Sequence, residues 1–423
     1  MFERRNIVTA VELGTSRIRV LVGESSGDGL QVLGRGEAPS GGSIIKGEVI
    51  DMDRALELLS EAVEMADESS GKMINQSRAV GIIVTNSGIS SLQSVGSAIV
   101  RSQDHRVSED DITEATRNAQ VNHLPFERTV IGSFDSYFLL DGNRKVSSPL
   151  GQSAHKLDAY VHVIHGETNR IENYSKIMQD VGFEDNTYLI FSGIATTMGV
   201  LTEEEKRNGA ILLDMGAGAT EYVTVYNHGI MGSGVIPVGF DHVINDLSVI
   251  LKLHIDTCRK LILDGTLAAM SARGQGFIEL KNLNSATVKI PLGSFEKIID
   301  ERLKETFTII KDNLKNQGLF TNIGSGGILS GGAALFPRTP DVYRDVFECP
   351  VRIGKPFDAS GAITELESPR YSTIWGALKY CDVCMKSDEL QHGGITDSIS
   401  STIDALAHGI QRTFVNVFKS IKI

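Results

Sequence analysis

The sequence predicts an α/β protein of two duplicated lobes that face each other across a cleft. Two turns of one design, VELGTSRI at residues 11–18 and LDMGAGATEY at residues 213–222, stand about 200 residues apart. Each reads as strand, tight turn and strand, with an acidic residue two positions before the first glycine: Glu12 before Gly14, and Asp214 before Gly216. A third glycine-rich turn, ILSGGAAL at 328–335, ends another apolar strand. With 423 residues, 41% of them apolar, the chain is too long for one small core and long enough for two. Little residue identity survives between the halves outside the two turns, so the repeat is one of pattern.

Taken in order, residues 7–22 give strand, turn and strand, an extended stretch follows at 29–38, and a Gly/Ser turn at 39–42. Leu56, Leu59, Ala62 and Val63 share one side of a helix predicted over 54–65, and the apolar run 79–85 reads as a buried strand. From about 88 to 164 the pattern changes to alternating segments (SVGSAIV, RTVIGSFDSYFLL, KLDAYVHVIH) around one helix that Ser108 caps, with Asp110 and Asp111 in its first turn. This reads as a small inserted subdomain, α+β in character. A helix over 167–181, the strand TYLIFSG and the short helix EEEKRNG return the chain to the second acid-glycine turn.

The second half continues with the hairpin-like NHGIMGSGVIPVG and helices over 240–251 and 256–263. Over 291–316, Phe295, Ile298, Ile299, Leu303, Phe307, Ile310 and Leu314 recur at helical spacing and predict a long amphipathic helix. The strand-like CPVRIGKP and a helix in SPRYSTIWGALKYC close the body, with Trp375 read as core. The expected boundaries are 1–83 and 164–204 for the first-lobe core, 84–163 for the inserted subdomain, 205–240 and 321–386 for the second-lobe core, and 241–320 for a second-lobe insertion.

Two acid-glycine turns can grip one polyphosphate from opposite sides. Glycine lets backbone N–H groups approach phosphate oxygens, Thr15, Ser16 and Thr220 add hydroxyl donors, and a carboxylate holds a hydrated Mg²⁺. The third turn, with Gly331 and Gly332, is placed to lie against a nucleoside.

Composition narrows the partners. A formal charge of −12 and a pI near 5.4, without Lys/Arg blocks, argue against general affinity for nucleic acid. The N-terminal segment has no apolar run of signal-peptide type, and nowhere do eighteen apolar residues follow one another. Cys258, Cys349, Cys381 and Cys384 fit free thiols in a reducing compartment; the CxxC at 381–384 lacks a second ligand pair and reads as structural. His162 and His165, in AYVHVIH, read as packing or edge residues.

The tail differs from the body. Residues 387–402 are polar with a glycine pair and read as a flexible linker. Beyond it, Ile403, Leu406, Ile410, Phe414, Val417, Phe418 and Ile421 fall on one side of a helix, flanked by Lys419 and Lys422. Such a stripe either docks on the body as a last core helix or lies in the plane of a membrane with lysines near anionic headgroups.

The segments VELGTSRIRVLVGE, SSPLGQSAHKLDAYVHVI, VLTEEEKRNGAILLDMGAGATEYVTVY, IIDERLKETF, ILSGGAALFPR, VRIGKPFDASGAIT and SPRYSTIWGALKY, in this order, resemble the FtsA family of bacterial cell-division proteins within the actin-like ATPases. The resemblance runs over nearly the whole chain. It implies an actin-like ATPase fold with a subdomain inserted into the first lobe, ATP and Mg²⁺ as ligands, and self-assembly into polymers. It also implies binding of the C-terminal peptide of FtsZ, contacts of the inserted subdomain with other division proteins, and a peripheral location on the cytoplasmic side of the membrane at the division site. By residue it implies phosphate contacts for Gly14, Thr15, Ser16, Arg17, Gly216, Gly218 and Thr220, Mg²⁺ held through water by Glu12 and Asp214, and Gly331 and Gly332 near the adenosine. Arg302 and Glu305 occupy the charged positions of the family's FtsZ-docking helix, and the 403–421 stripe becomes the membrane anchor.

Three departures are visible. Glu12 stands where most actin-like ATPases have aspartate. DTCRKL puts Thr257, Cys258 and Leu261 at the ribose positions, with Lys260 as the compensating polar group. Ala219 replaces the commoner residue after the second phosphate glycine. Nucleotide binding is expected, with at most slow hydrolysis. The alternatives are a PilM-type pilus-assembly scaffold, which shares the core, and a small-molecule kinase of the same superfamily.

Overall fold

The protein is described by a computed structural model over residues 5–27, 29–120, 124–183, 187–263, 265–272, 276–361 and 364–392. The first lobe starts with an antiparallel meander of β1 (Ile7–Leu13), β2 (Arg17–Ser26) and β3 (Gly29–Pro39). Six of the seven β1 residues are buried, as a strand covered on both faces requires; Glu12 is the exception. Helix α1 (Met52–Ser69) begins where the Asp51 carboxylate accepts the Arg54 amide at 3.0 Å, and it buries Ala55, Leu58, Leu59, Ala62 and Ala66. It lies so close to β3 that a Cβ on Gly36 would come 1.7 Å from the Ala62 carbonyl oxygen. Strand β4 (Ser77–Val84) then pairs parallel to β1.

The insertion forms its own four-stranded sheet. Its strands are β5 (Ser90–Ile99), β6 (Arg128–Leu140), β7 (Arg144–Val146) and β8 (Lys156–Glu167), in the order β5-β8-β6-β7, with α2 (Glu109–Gln120) on one face and a separate small core. Ser108 caps α2 as expected: the Asp111 amide donates to its hydroxyl, and the Asp111 carboxylate accepts the Ser108 amide at 2.8 Å. His162 is buried with Nε2 2.8 Å from Ser233 Oγ, and burial lowers its pKa to about 3. Arg128 donates to His165 Nδ1 at 2.6 Å. Both histidines are packing residues.

The chain returns through α3 (Thr168–Asp180), β9 (Thr187–Phe191), α4 (Ser192–Val200) and α5 (Glu203–Asn208). The second lobe then repeats the plan: meander β10 (Ala210–Met215), β11 (Thr220–Tyr226) and β12 (Gly229–Ile236), then α6 (Phe240–Leu251), α7 (Ile255–Leu263) and α8 (Thr266–Ala272). A hairpin of β13 (Phe277–Lys281) and β14 (Thr287–Pro291) leads into α9 (Leu292–Asn316), followed by β15 (Gly327–Ser330), α10 (Thr339–Phe347) and β16 (Val351–Ile353). The first sheet runs β9-β4-β1-β2-β3 and the second β16-β15-β10-β11-β12, so the duplication inferred from two turns extends to strand order and direction. A short strand, Ser360–Gly361, adds to the outer edge of β3.

Helix α11 (Ser372–His392) crosses back onto the first lobe, where Trp375, Cys381 and Cys384 join its core. It meets α4 backbone to backbone: a Cβ on Gly376 would lie 1.6 Å from the Ala195 carbonyl oxygen. The CxxC thiols form no disulfide and are buried, consistent with the structural reading. Residues 387–392, expected as linker, instead continue α11, because nothing in that polar segment stops a helix already begun. The rest of the linker and the stripe Ile403, Leu406, Ile410, Phe414, Val417, Phe418 and Ile421 lie outside the described residues. Among the described residues no helix is long and apolar enough to cross a membrane.

Candidate functional site

The two acid-glycine turns face each other. In the first, the Gly14 amide donates to the Arg17 carbonyl at 3.0 Å; in the second, the Gly216 amide donates to the Ala219 carbonyl at 2.9 Å. The turns close until a Cβ on Gly218 would sit 2.5 Å from Thr15 Oγ1 and 2.8 Å from Lys46 Cα. The Gly47 amide holds Thr15 Oγ1 at 3.1 Å, and Ser40 secures the turn from below through its amide to Ser16 O at 3.2 Å. Between the lobes lies a cavity of about 1010 Å³. Glu12, Gly14, Thr15, Ser16, Arg17, Asp214, Gly216, Gly218, Gly331 and Gly332 all line it, so the three glycine-rich turns meet at one place.

Two predicted residues do not reach it. Thr220 is fully buried and its hydroxyl donates to the Val238 carbonyl at 2.7 Å. The cause is strand alternation: Asp214 pairs with Glu221 across the hairpin, and Met215 with Thr220, so Glu221 shares the cleft face and Thr220 takes the opposite one. Lys260 is exposed outside the cavity; Arg259 lines it instead, 3.2 Å from Asp241. Cys258 is buried in the second-lobe core, where burial pushes its thiol up to about 11. Helix α7 therefore shows the cleft Arg259, Ile262 and Leu263 rather than the face assigned to ribose.

The acids form the electrostatic centre. Glu12 accepts from Arg19 Nη1 at 2.9 Å, and burial, countered by that arginine, raises its pKa. Asp214 Oδ2 accepts the hydroxyls of Thr196 at 2.5 Å and Thr373 at 2.6 Å, and burial raises its pKa despite them. Glu221 accepts the Thr85 hydroxyl from the first lobe; burial, then the charge of Asp214, push it up to about 8. Asp214 Oδ1 faces Gly331, where a Cβ would come within 2.5 Å of it. Gly331, at φ +81°, is thus required both by its backbone and by the approach of the acid. Buried carboxylates with raised pKa values, beside glycine backbone, fit a hydrated dication carried by a polyphosphate.

Sequence reasoning missed Arg19, Glu221, Thr85, Thr196 and Thr373. Arg19 and Glu221 were readable in principle, since each stands seven positions after the acid of its own hairpin. The threonines come from α4, α11 and the end of β4, and only the fold brings them in.

On α9, Arg302 is already engaged. Its Nε and Nη2 donate to Asp246 at 2.6 and 3.1 Å, and Nη1 donates to Glu305 at 2.6 Å. Val249 and Ile250, one turn beyond Asp246 on α6, are 67% and 60% exposed.

Comparison with known proteins decides the family. The model described as "Cell division protein FtsA" matches residues 211–376, and that described as "SHS2 domain inserted in FTSA" matches residues 86–165, together more than half of the chain. The chain belongs to the FtsA family. Curated FtsA proteins align along most of its length. The one from Pseudomonas aeruginosa is 29% identical, covering 88% of this chain and 89% of its own, and the one from Escherichia coli is 25% identical, covering 97% and 99%. That from Borreliella burgdorferi is 26% identical over 92% and 94%. The SHS2 match coincides with the four-stranded insertion. Among solved structures, a PilM-PilN type IV pilus biogenesis complex superposes with TM-score 0.57 at 12% identity, covering 88% of this chain and 97% of that one. MreB5 of Spiroplasma citri bound to ADP gives 0.53 at 14%, covering 91% and 98%. The fold is thus that of the actin-like ATPases, shared with PilM; the sequence relatives, rather than the fold, set this FtsA chain apart from a pilus scaffold.

Proposed function

We propose that this FtsA-family protein binds Mg²⁺-ATP between its lobes, polymerises with copies of itself, and tethers the FtsZ ring to the cytoplasmic face of the membrane during septum assembly. The observation that carries the nucleotide reading is the meeting of Gly218 with Thr15, because two glycine turns from separate sheets then bound one polar cavity. The related fold of MreB5, solved with ADP and with AMPPNP, supports the same ligand class. Bound Mg²⁺ would supply charge neutralisation of the phosphates, with Glu12 and Asp214 as the residues that hold its water shell. The remaining oxygens of those acids, and the hydroxyl of Thr15, are the groups this chain offers for orientation.

Slow turnover is part of the reading. A general base must be ionised at working pH, and Glu221, at about 8, largely keeps its proton at neutral pH. Asp214 is occupied by two hydroxyls. The nucleotide therefore acts as a gate on lobe closure and polymerisation more than as a fuel.

For FtsZ, the exposed Val249 and Ile250 beside the Asp246–Arg302–Glu305 cluster support an apolar anchor with a charged rim for its C-terminal peptide. Since Arg302 already holds two carboxylates, the apolar pair is expected to supply more of the affinity than the charge. Other division proteins are assigned to the inserted subdomain, and membrane attachment to the 403–421 stripe.

Liposome co-sedimentation with labelled FtsZ tail peptide, comparing the full chain with one ending at Thr402, tests the tethering role. The full chain should pellet with anionic liposomes and bring the peptide down; the shorter chain should do neither. Pelleting of the shorter chain would remove the anchor, and absence of peptide from both pellets would remove the FtsZ role.

A further inference from the structure

The inserted subdomain hangs from the first lobe and also grips the second. Each of its three long strands sends one side chain to β12, the outer strand of the second-lobe sheet, which among the described residues has no strand on its far side. From β5, Ser91 Oγ donates to the Ser233 carbonyl at 2.7 Å. From β6, Ser136 Oγ donates to the Ile230 carbonyl at 2.5 Å. From β8, His162 Nε2 lies 2.8 Å from Ser233 Oγ. Ser136, His162 and Ser233 are 5%, 2% and 3% exposed, so a partner lost here is not simply replaced by water. The approach is so tight that a Cβ on Gly229 would come 2.1 Å from the Ser136 carbonyl oxygen. The edge strand is thus covered by side chains instead of being extended by a ladder, and a few hydroxyl contacts can part and re-form where a continuous sheet cannot.

The same meander borders the cleft. Glu221, on β11, stands beside Val235 of β12 and accepts the hydroxyl of Thr85, the residue that follows β4 as the chain leaves for the insertion. The short stretch 85–91 therefore touches the second lobe twice, in the cleft through Thr85 and at the outer edge through Ser91. Both contacts coexist with the meeting of Gly218 and Thr15, so they belong to the closed arrangement of the lobes.

We propose that the contacts of Ser91, Ser136 and His162 with β12 form a latch that favours the closed lobes and couples the cleft to the inserted subdomain. Nucleotide in the cleft firms the hold of the insertion on β12, and a partner that draws the insertion away from β12 weakens nucleotide binding by the same factor, since such coupling is reciprocal. The inference rests on the nucleotide reading of the cleft. Loss of two neutral hydrogen bonds sets the scale of the coupling at about tenfold.

Two measurements on the full chain test this, with wild type, the double variant Ser91→Ala/Ser136→Ala, and Ser94→Ala as control. Ser94 Oγ donates to the Ala119 carbonyl at 2.5 Å, a bond of the same kind that stays inside the insertion. In the first, a fluorescent ATP analogue is titrated with Mg²⁺. The double variant should bind about tenfold more weakly than wild type, and Ser94→Ala within about twofold of it. Equal or tighter binding in the double variant, or the same loss in Ser94→Ala, overturns the proposal. In the second, amide hydrogen exchange is followed with and without the analogue. The analogue should slow exchange in β5, β6 and β8 by about fivefold or more in wild type and by less than about twofold in the double variant, with the glycine turns protected in both. An insertion that responds equally in both proteins, or in neither, overturns the latch. If no protein binds the analogue and the turns stay unprotected, the nucleotide reading falls. The exchange series without analogue still decides the latch: β5 and β12 should exchange faster together in the double variant, and β12 should be unchanged in Ser94→Ala; an unchanged β12 in the double variant overturns it.

Discussion

The two glycine hairpins share one geometry and carry opposite electrostatics. Each places its acid opposite the residue seven positions later: Glu12 opposite Arg19, and Asp214 opposite Glu221. In the first lobe the half-buried Glu12 is compensated by the Arg19 guanidinium. In the second, two acids stand side by side, Asp214 steadied by Thr196 and Thr373 and Glu221 driven to about 8. The difference teaches that duplication preserved the geometry of the hairpin and let the charge diverge. In the first hairpin the acid has an arginine opposite it, and in the second it has another acid.

The pH dependence of stability should break this comparison most visibly. The folded-state pKa of Glu221 lies at about 8, above its ordinary 4.5, so the folded protein holds a proton that the unfolded chain releases. Its contribution is therefore present at low pH and is lost as pH rises from about 4.5 through about 8, with a limiting slope of about 1.4 kcal/mol per pH unit. Melting in EDTA across that window should show wild type weakening, with Glu221→Gln flatter. Asp214 and Glu12, also raised by burial, add slope of the same sign in both proteins.

Next in size is the contrast between the two threonines assigned to phosphate. Thr15→Val should weaken nucleotide binding by about tenfold, the loss of one hydrogen bond to a charged group. Thr220→Val should leave binding within about twofold and instead cost about 1 kcal/mol of stability, because its hydroxyl serves Val238. The smallest effect concerns α7. Arg259→Ala should weaken binding several-fold through loss of a cleft-lining cation, and Lys260→Ala should have none, as a titration with an ATP analogue would show.

These contrasts also mark where the sequence was legible. Glycines announce turns, so the three turns, the meanders and the long α9 stripe could be read from residue order alone. The duplication was visible in two hairpins, and strand order then proved it across the whole of both sheets. Side-chain direction was less legible. Thr220 looked like a donor because it follows a glycine turn, yet the register Asp214–Glu221 turns it away. Lys260 was expected as the compensating polar group because the resemblance put Thr257, Cys258 and Leu261 at the ribose positions, and only packing against the second-lobe core, with Cys258 and Leu261 inward, selects Arg259 for the cleft. Thr196 and Thr373 sit 18 and 159 residues from Asp214, beyond any local pattern.

The central claim is that both hairpins hold one nucleotide, and calorimetric titration of Mg²⁺-ATP into wild type and Gly218→Val tests it most directly. Valine at 218 would put its Cβ 2.5 Å from Thr15 Oγ1 and force the turns apart without touching either acid. Wild type should bind one nucleotide per chain, and Gly218→Val, still folded by its melting curve, should lose more than about a hundredfold in affinity. Equal affinity in the two proteins would mean that the hairpins do not share a ligand.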